Sequence, residues 1–166
     1  VGIAGKAGYW EILAGGDGRR GEETMAQRVE VAPRHRTGTS DLASVVLTVP
    51  AHKDYVVIIR SAVAQLGACF GFTVREITDL RLAVNEACAL LVAGAPERDK
   101  RAAGIIECRA HVRGDRLRVT VAAPVGGFDA PDPDGLGWSL MTALVDSLAW
   151  AQYGGTARIA LEKRRD

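Results

Sequence analysis

Two stretches of the sequence hold residue types suited to chemistry. The first is AVNEACALLV, Ala83 to Val92, where Glu86 is a lone acid and Asn85 the one other polar residue. On a helix, Ile77, Leu80, Val84, Ala87, Cys88 and Leu91 fall on one stripe, and Leu82, Glu86, Ala89, Leu90 and Ala93 on the opposite side. A carboxylate on a second apolar face lines a pocket or a protein interface in one reading. In the other it is a solvated surface acid beside tolerated leucines. The second stretch is the loop PVGGFDAPDPDG together with the LG that extends it. Gly126-Gly127 permits close backbone approach, and Gly135-Leu136-Gly137 stands at a helix N-terminus. Free N–H groups and the helix dipole there favour an anion such as phosphate. G-x-G before a helix is also an ordinary flexible turn. It is not a dinucleotide fingerprint, because Leu140 takes the third glycine's place and a proline-rich loop, not a strand, precedes it.

Other candidate chemistry is thinner. Cys69, Cys88 and Cys108 are far apart and lie in apolar segments, which predicts buried free thiols. His35, His52 and His111 do not stand at zinc-ligand spacing from them, so no metal site is expected. The fragment GIAGKAG lacks the P-loop pattern and has no strand before it.

The elements that position these residues emerge from periodicity. Residues 1–40 read as a flexible N-terminal segment: seven glycines fall in 1–24, and 25–40 are polar and basic. Gly21-Glu22-Glu23-Thr24 would be encoded by a purine-rich tract like a ribosome-binding site, which predicts that translation begins at Met25. Residues 41–166 form the domain. LASVVLTV (Leu42–Val49) predicts a strand ending at Pro50. Tyr55, Val56, Ile59, Val63, Leu66 and Cys69 predict a helix over His52–Phe70. Thr73 with Glu76 predicts a capping box opening a helix to about Val92. Ile105–Val112 and Leu117–Ala123 read as a hairpin, Leu136–Leu148 as a helix, and Ala149–Tyr153 with Thr156–Leu161 as a second hairpin. The fold class is α+β: a two-layer sandwich, a largely antiparallel sheet with helices on one face.

Composition sets the outer bounds. The 166 residues are 48% hydrophobic and 25% charged, a globular balance with room for a sizeable core. A net charge of +1 argues against direct nucleic-acid binding. No apolar run approaches the ~18 residues of a membrane span, so a cytoplasmic protein is expected.

The order of parts resembles the GHKL ATPase superfamily (Bergerat fold, histidine kinase-like), and within it the anti-sigma factor serine kinases of bacterial stress and sporulation switches. The likeness runs from about Leu42 to Leu161. It rests on LRLAVNEACALL and on GGFD followed by DGLGWSLMTALVDSL. The resemblance implies a sigma factor and an anti-anti-sigma factor as partners, a homodimer, and ATP with Mg²⁺ as cofactors. In that family the helix glutamate activates the attacking hydroxyl, and an asparagine one turn later holds Mg²⁺. An aspartate in the first glycine box reads adenine, and the second box wraps the phosphates. Carried over, the glutamate is Glu86, but the asparagine position is Leu90 and the adenine-reading aspartate is Ala123. The first box keeps Gly127 and the second keeps Gly135, Gly137 and Leu140, while Asp129, Asp132 and Asp134 crowd the loop between. A leucine cannot coordinate Mg²⁺, which wants oxygen ligands. An alanine leaves the adenine amino group unpaired, at a cost of roughly 1–3 kcal/mol in a buried site. The resemblance therefore implies an anti-sigma factor with weakened or lost ATP use, or else a working serine kinase whose aspartate-rich loop replaces the missing groups.

Overall fold

The computed structural model describes residues 30–31, 43–94, 104–125 and 130–166. The expectations for Gly126, Gly127, Asp129, His35 and the start at Met25 lie outside these residues. Of the 1–40 segment, Glu30–Val31 is described, as a two-residue strand (β1) beside Val45 and Val46.

β-branched residues in alternation build Ala43–Pro50 (β2). Lys53–Tyr55 then makes one 3₁₀ turn, and Val56–Cys69 (α1) and Val74–Ala93 (α2) come next as helices. The helix expected from His52 thus begins as a tighter turn, and Tyr55, assigned to the apolar face, is exposed. The Thr73 capping box is present: its hydroxyl oxygen accepts from the Glu76 N–H, and Glu76 Oε2 accepts from the Thr73 N–H. Ile105–Arg113 (β3) and Arg116–Pro124 (β4) form the first hairpin, turning through Gly114 at φ 61°. Leu136–Leu144 (α3) precedes the second hairpin, Ser147–Tyr153 (β5) and Thr156–Arg164 (β6). Its turn has Gly154 and Gly155 at φ 58° and 75°, the left-handed pair that a two-residue hairpin needs.

The expected end of the third helix is wrong. The helix predicted to reach Leu148 stops at Leu144, and Val145 is already extended. Leu148 keeps its apolar role but packs from β5 onto the core, so the first residues of a strand mimic a final helical turn in the sequence.

The sheet order is β1-β2-β3-β4-β6-β5, every neighbouring pair antiparallel. Alternate residues of the strands face the helices: Leu47 and Val49, Ile106 to Val112, Leu117 to Ala123, and Ala157, Ile159 and Leu161. Ile59, Val63 and Leu66 of α1 and Leu80, Val84, Ala87, Cys88 and Leu91 of α2 close over them. Each such Leu, Ile or Val contributes about 1.5–3 kcal/mol on burial, which fixes α2 along the sheet and with it the direction of Glu86.

Candidate functional site

The α2 stripe that packs on the sheet leaves Glu86 and Leu90 on another side, both half-buried. α3 covers that side. A Cβ built on Gly137 would stand 3.4 Å from Glu86 Oε2 and 4.0 Å from Leu90 Cδ2. Glycine at this position therefore lets the first turn of α3 come against the carboxylate. Leu90, the position where the resemblance calls for a magnesium ligand, presents a methyl group to the same turn.

The N-terminus of α3 has no side-chain cap and no acid in its first turn. Its N-cap is Gly135, whose N–H donates to the Asp132 carbonyl at 3.0 Å; the Asp134 N–H donates to Asp132 Oδ1 at 3.0 Å. Asp132 thus holds the loop leading into the helix. Glu86 supplies the negative charge that the helix lacks, and a carboxylate beside the positive end of a helix dipole is worth about 0.3–1 kcal/mol. The acid of the opening motif thus lies in an interface between two helices.

On its other side Glu86 is tied to α1. Asn85 Nδ2 donates to Glu86 Oε1 at 3.4 Å, and Arg60 Nη1 donates to Asn85 Oδ1 at 3.2 Å. Arg60 Nε is buried with no hydrogen-bond partner among the described residues. Neither Arg60 nor the role of Asn85 was expected. The signal was available: Arg60 is the one charged residue of α1, next to the fully buried Ile59.

The remaining expected residues divide clearly. Of the expected glycine-loop residues, Gly137 is brought beside Glu86, Gly135 is the N-cap of the same helix against Asp132, and Leu136 projects outward with 85% of its surface exposed. Ala123 is buried in the core at the end of β4, on the sheet face toward the helices. Cys88 and Cys108 are buried free thiols as expected, but Cys69 is exposed, because it is the last residue of α1 and lies off the stripe set by Ile59, Val63 and Leu66. Burial pushes the Cys88 thiol up to about 12 and raises that of Cys108 further.

An antiparallel sheet with helices on one face, and a helical acid set against a glycine-led helix, define a histidine kinase-like ATPase architecture. Residues 49–161 match the histidine kinase-like ATPase domain, and the chain belongs to that family. Serine-protein kinase RsbW of Bacillus subtilis is 33% identical over 135 residues, covering 70% of this chain and 82% of that protein. The RsbW of Bacillus licheniformis is 37% identical over 106 residues, covering 63% and 65%. Among solved structures, the RsbU and RsbW domains of Rv1364c from Mycobacterium tuberculosis superpose with a TM-score of 0.59 at 19% identity, over 74% of this chain and 32% of that one. That likeness concerns the fold alone.

The family implies a nucleotide with its metal, and the residues present fit the two unequally. The uncapped N-terminus of α3 suits a phosphate. Mg²⁺ is not suited at Leu90, which offers carbon where the cation wants oxygen.

Proposed function

We propose that this protein is an anti-sigma factor: it sequesters an RNA polymerase sigma factor and is displaced from it by an anti-anti-sigma partner, with ATP use weakened or lost. It works as a homodimer in the bacterial cytoplasm, in a stress-response switch. The observation that carries this reading is the place of Leu90, whose Cδ2 stands 4.0 Å from where a Cβ on Gly137 would be, on the side of α2 that faces α3. A methyl group stands where the family's metal ligand belongs, and phosphoryl transfer relies on that metal. Ala123, 1% exposed, supports it from the other end of the site, since no carboxylate is there to read an adenine. Glu86 is then a former general base retained as the counter-charge of α3.

The second reading is a working serine kinase that phosphorylates its anti-anti-sigma partner. Glu86 beside an uncapped helix N-terminus favours it, as do relatives that are serine-protein kinases. In that case Glu86 would be the catalytic base, and Gly126, Gly127, Gly135, Leu136 and Gly137 would hold the phosphates of ATP.

Calorimetry of the full chain with MgATP and with MgADP separates the two. No heat up to about millimolar nucleotide is the expected result; a dissociation constant of about micromolar, roughly 4 kcal/mol tighter, moves the kinase reading ahead. Co-purification of a sigma factor from a native host tests what both readings share.

A further inference from the structure

The helices cover one face of the sheet, and the other face has its own composition. By register, its rows are Arg113, Arg116 and Arg164; His111, Arg118 and Glu162; Arg109, Thr120 and Ala160; Glu107, Ala122 and Arg158. The floor is made of small side chains. Thr120 and Ala160 are only 8% and 6% exposed, although no helix among the described residues lies over them. Six arginines stand against two glutamates in these rows, a local excess of four positive charges on a chain whose net charge is +1.

Both glutamates are already committed. Glu162 accepts from Arg116 Nη1 at 2.7 Å and from Arg118 Nη2 at 2.6 Å, and Glu107 accepts from Arg109 Nε at 2.7 Å. Arg164 donates to Asp115 at the edge of the sheet. Arg113 and Arg158, both exposed, have no such partner among the described residues. At the far end of the same face Ile105 is 48% and Tyr153 91% exposed, giving an apolar border to the basic field.

We propose that this open face is a docking surface for an acidic segment of another protein, held by Arg113 and Arg158 and bordered by Ile105 and Tyr153. Arginine is the side chain best suited to carboxylates, because its planar fork makes paired hydrogen bonds and is weakly hydrated. Arginines beside an exposed aromatic are also the usual anchors of a protein interface. The apolar border of Ile105 and Tyr153 suits the side chains of a protein segment better than a phosphate backbone, which favours protein over nucleic acid. A second copy of the chain would bring the same excess of positive charge to the face and is disfavoured for that reason. The proposal is independent of nucleotide, since the face lies across the sheet from Glu86.

The test is fluorescence anisotropy of the full chain with a labelled peptide of alternating glutamate and threonine, at low and physiological salt. The comparison is R113E with R158E against R75E with R81E, the latter pair changing the same charge on exposed residues of α2. Expected is salt-sensitive binding that the sheet pair weakens by roughly tenfold or more and the helix pair by less than about twofold. Equal loss in both pairs, or no binding at low salt, overturns the proposal. So does tighter binding of a random DNA duplex than of the peptide, or a dimer in sedimentation that R113E with R158E dissolves. Circular dichroism of both pairs checks that the fold is intact.

Discussion

Gly137 lies against Glu86, so that one hydrogen atom on α3 faces the carboxylate of α2 where any other residue would place a carbon 3.4 Å from Oε2. That distance is ordinary van der Waals contact, and the backbone at Gly137 is not in the left-handed region. Gly137→Ala therefore fits. Removing a glycine from a helix gains about 0.5–1 kcal/mol through the unfolded chain, while the added methyl shields the amides that a phosphate would need. Thermal and urea unfolding should show stability unchanged or raised. Calorimetry should show any residual affinity for ATP lost. A destabilised variant would mean that α3 cannot yield by even a few tenths of an ångström.

Restoring the missing oxygens should restore nucleotide binding. Leu90→Asn places an amide oxygen one helical turn from Glu86, and Ala123→Asp places a carboxylate at the end of β4. The double variant should bind ATP at least about tenfold more tightly with Mg²⁺ than with EDTA, a difference of about 1.4 kcal/mol. Without nucleotide it should be less stable by roughly 2–5 kcal/mol, because Ala123 is buried and an unpaired acid there is costly. Calorimetry with and without EDTA reads the first and urea melts the second. Metal-independent binding of equal strength would show that Leu90 was never the deficiency.

The sequence made the helical layer and both hairpins legible because each had strong local signals. The Thr73–Glu76 capping box, the glycine turns, and the spacing of Ile59, Val63 and Leu66 depend on near neighbours only. What escaped depended on distant ones. Arg60 and Asn85 are 25 positions apart and meet because α1 and α2 pack side by side. The end of α3 was misjudged because Leu148 is apolar in either geometry, and only its pairing with Leu161 makes it a strand residue. Glu86 stands out from its neighbours in the sequence, but its relation to Gly137 is a tertiary fact across two helices.

The three cysteines should separate by access. A thiol reagent that reacts through the thiolate should modify Cys69 in the native protein and all three cysteines in denaturant. Cys88 and Cys108 are buried and their thiols are raised well above the ordinary range by burial, so their native rates should track global unfolding. Mass spectrometry after alkylation reads the sites directly. Modification of Cys88 as fast as that of Cys69 would mean that α2 lifts from the sheet.

Stability should fall in two steps as pH is lowered. Burial and the nearby Arg118 hold the His111 imidazole below its usual value, with Glu162 opposing. The unfolded chain therefore takes up that proton first, and stability is lost as pH drops below about 6.5 toward the lower folded value. The second step belongs to Glu162 and Glu76. Burial alone would raise both carboxyls, but the hydrogen bonds from Arg118 and Arg116 lower that of Glu162, and those from the Asp166 N–H and from Thr73 lower that of Glu76. A depressed carboxyl contributes stability above the unfolded value of about 4.3 and loses it as pH falls through the folded one. His111→Gln should flatten the first step and leave the second. Glu162→Gln should shrink the second step to the part that belongs to Glu76 and deepen the first, because the carboxylate that opposes the His111 shift is gone. It should also lower stability at neutral pH, because Arg116 and Arg118 then share an uncharged partner. Urea melts from pH 7.5 to 3 measure both steps, and a curve for Glu162→Gln parallel to that of the unsubstituted chain below about pH 5 would remove this carboxylate from the account of acid unfolding.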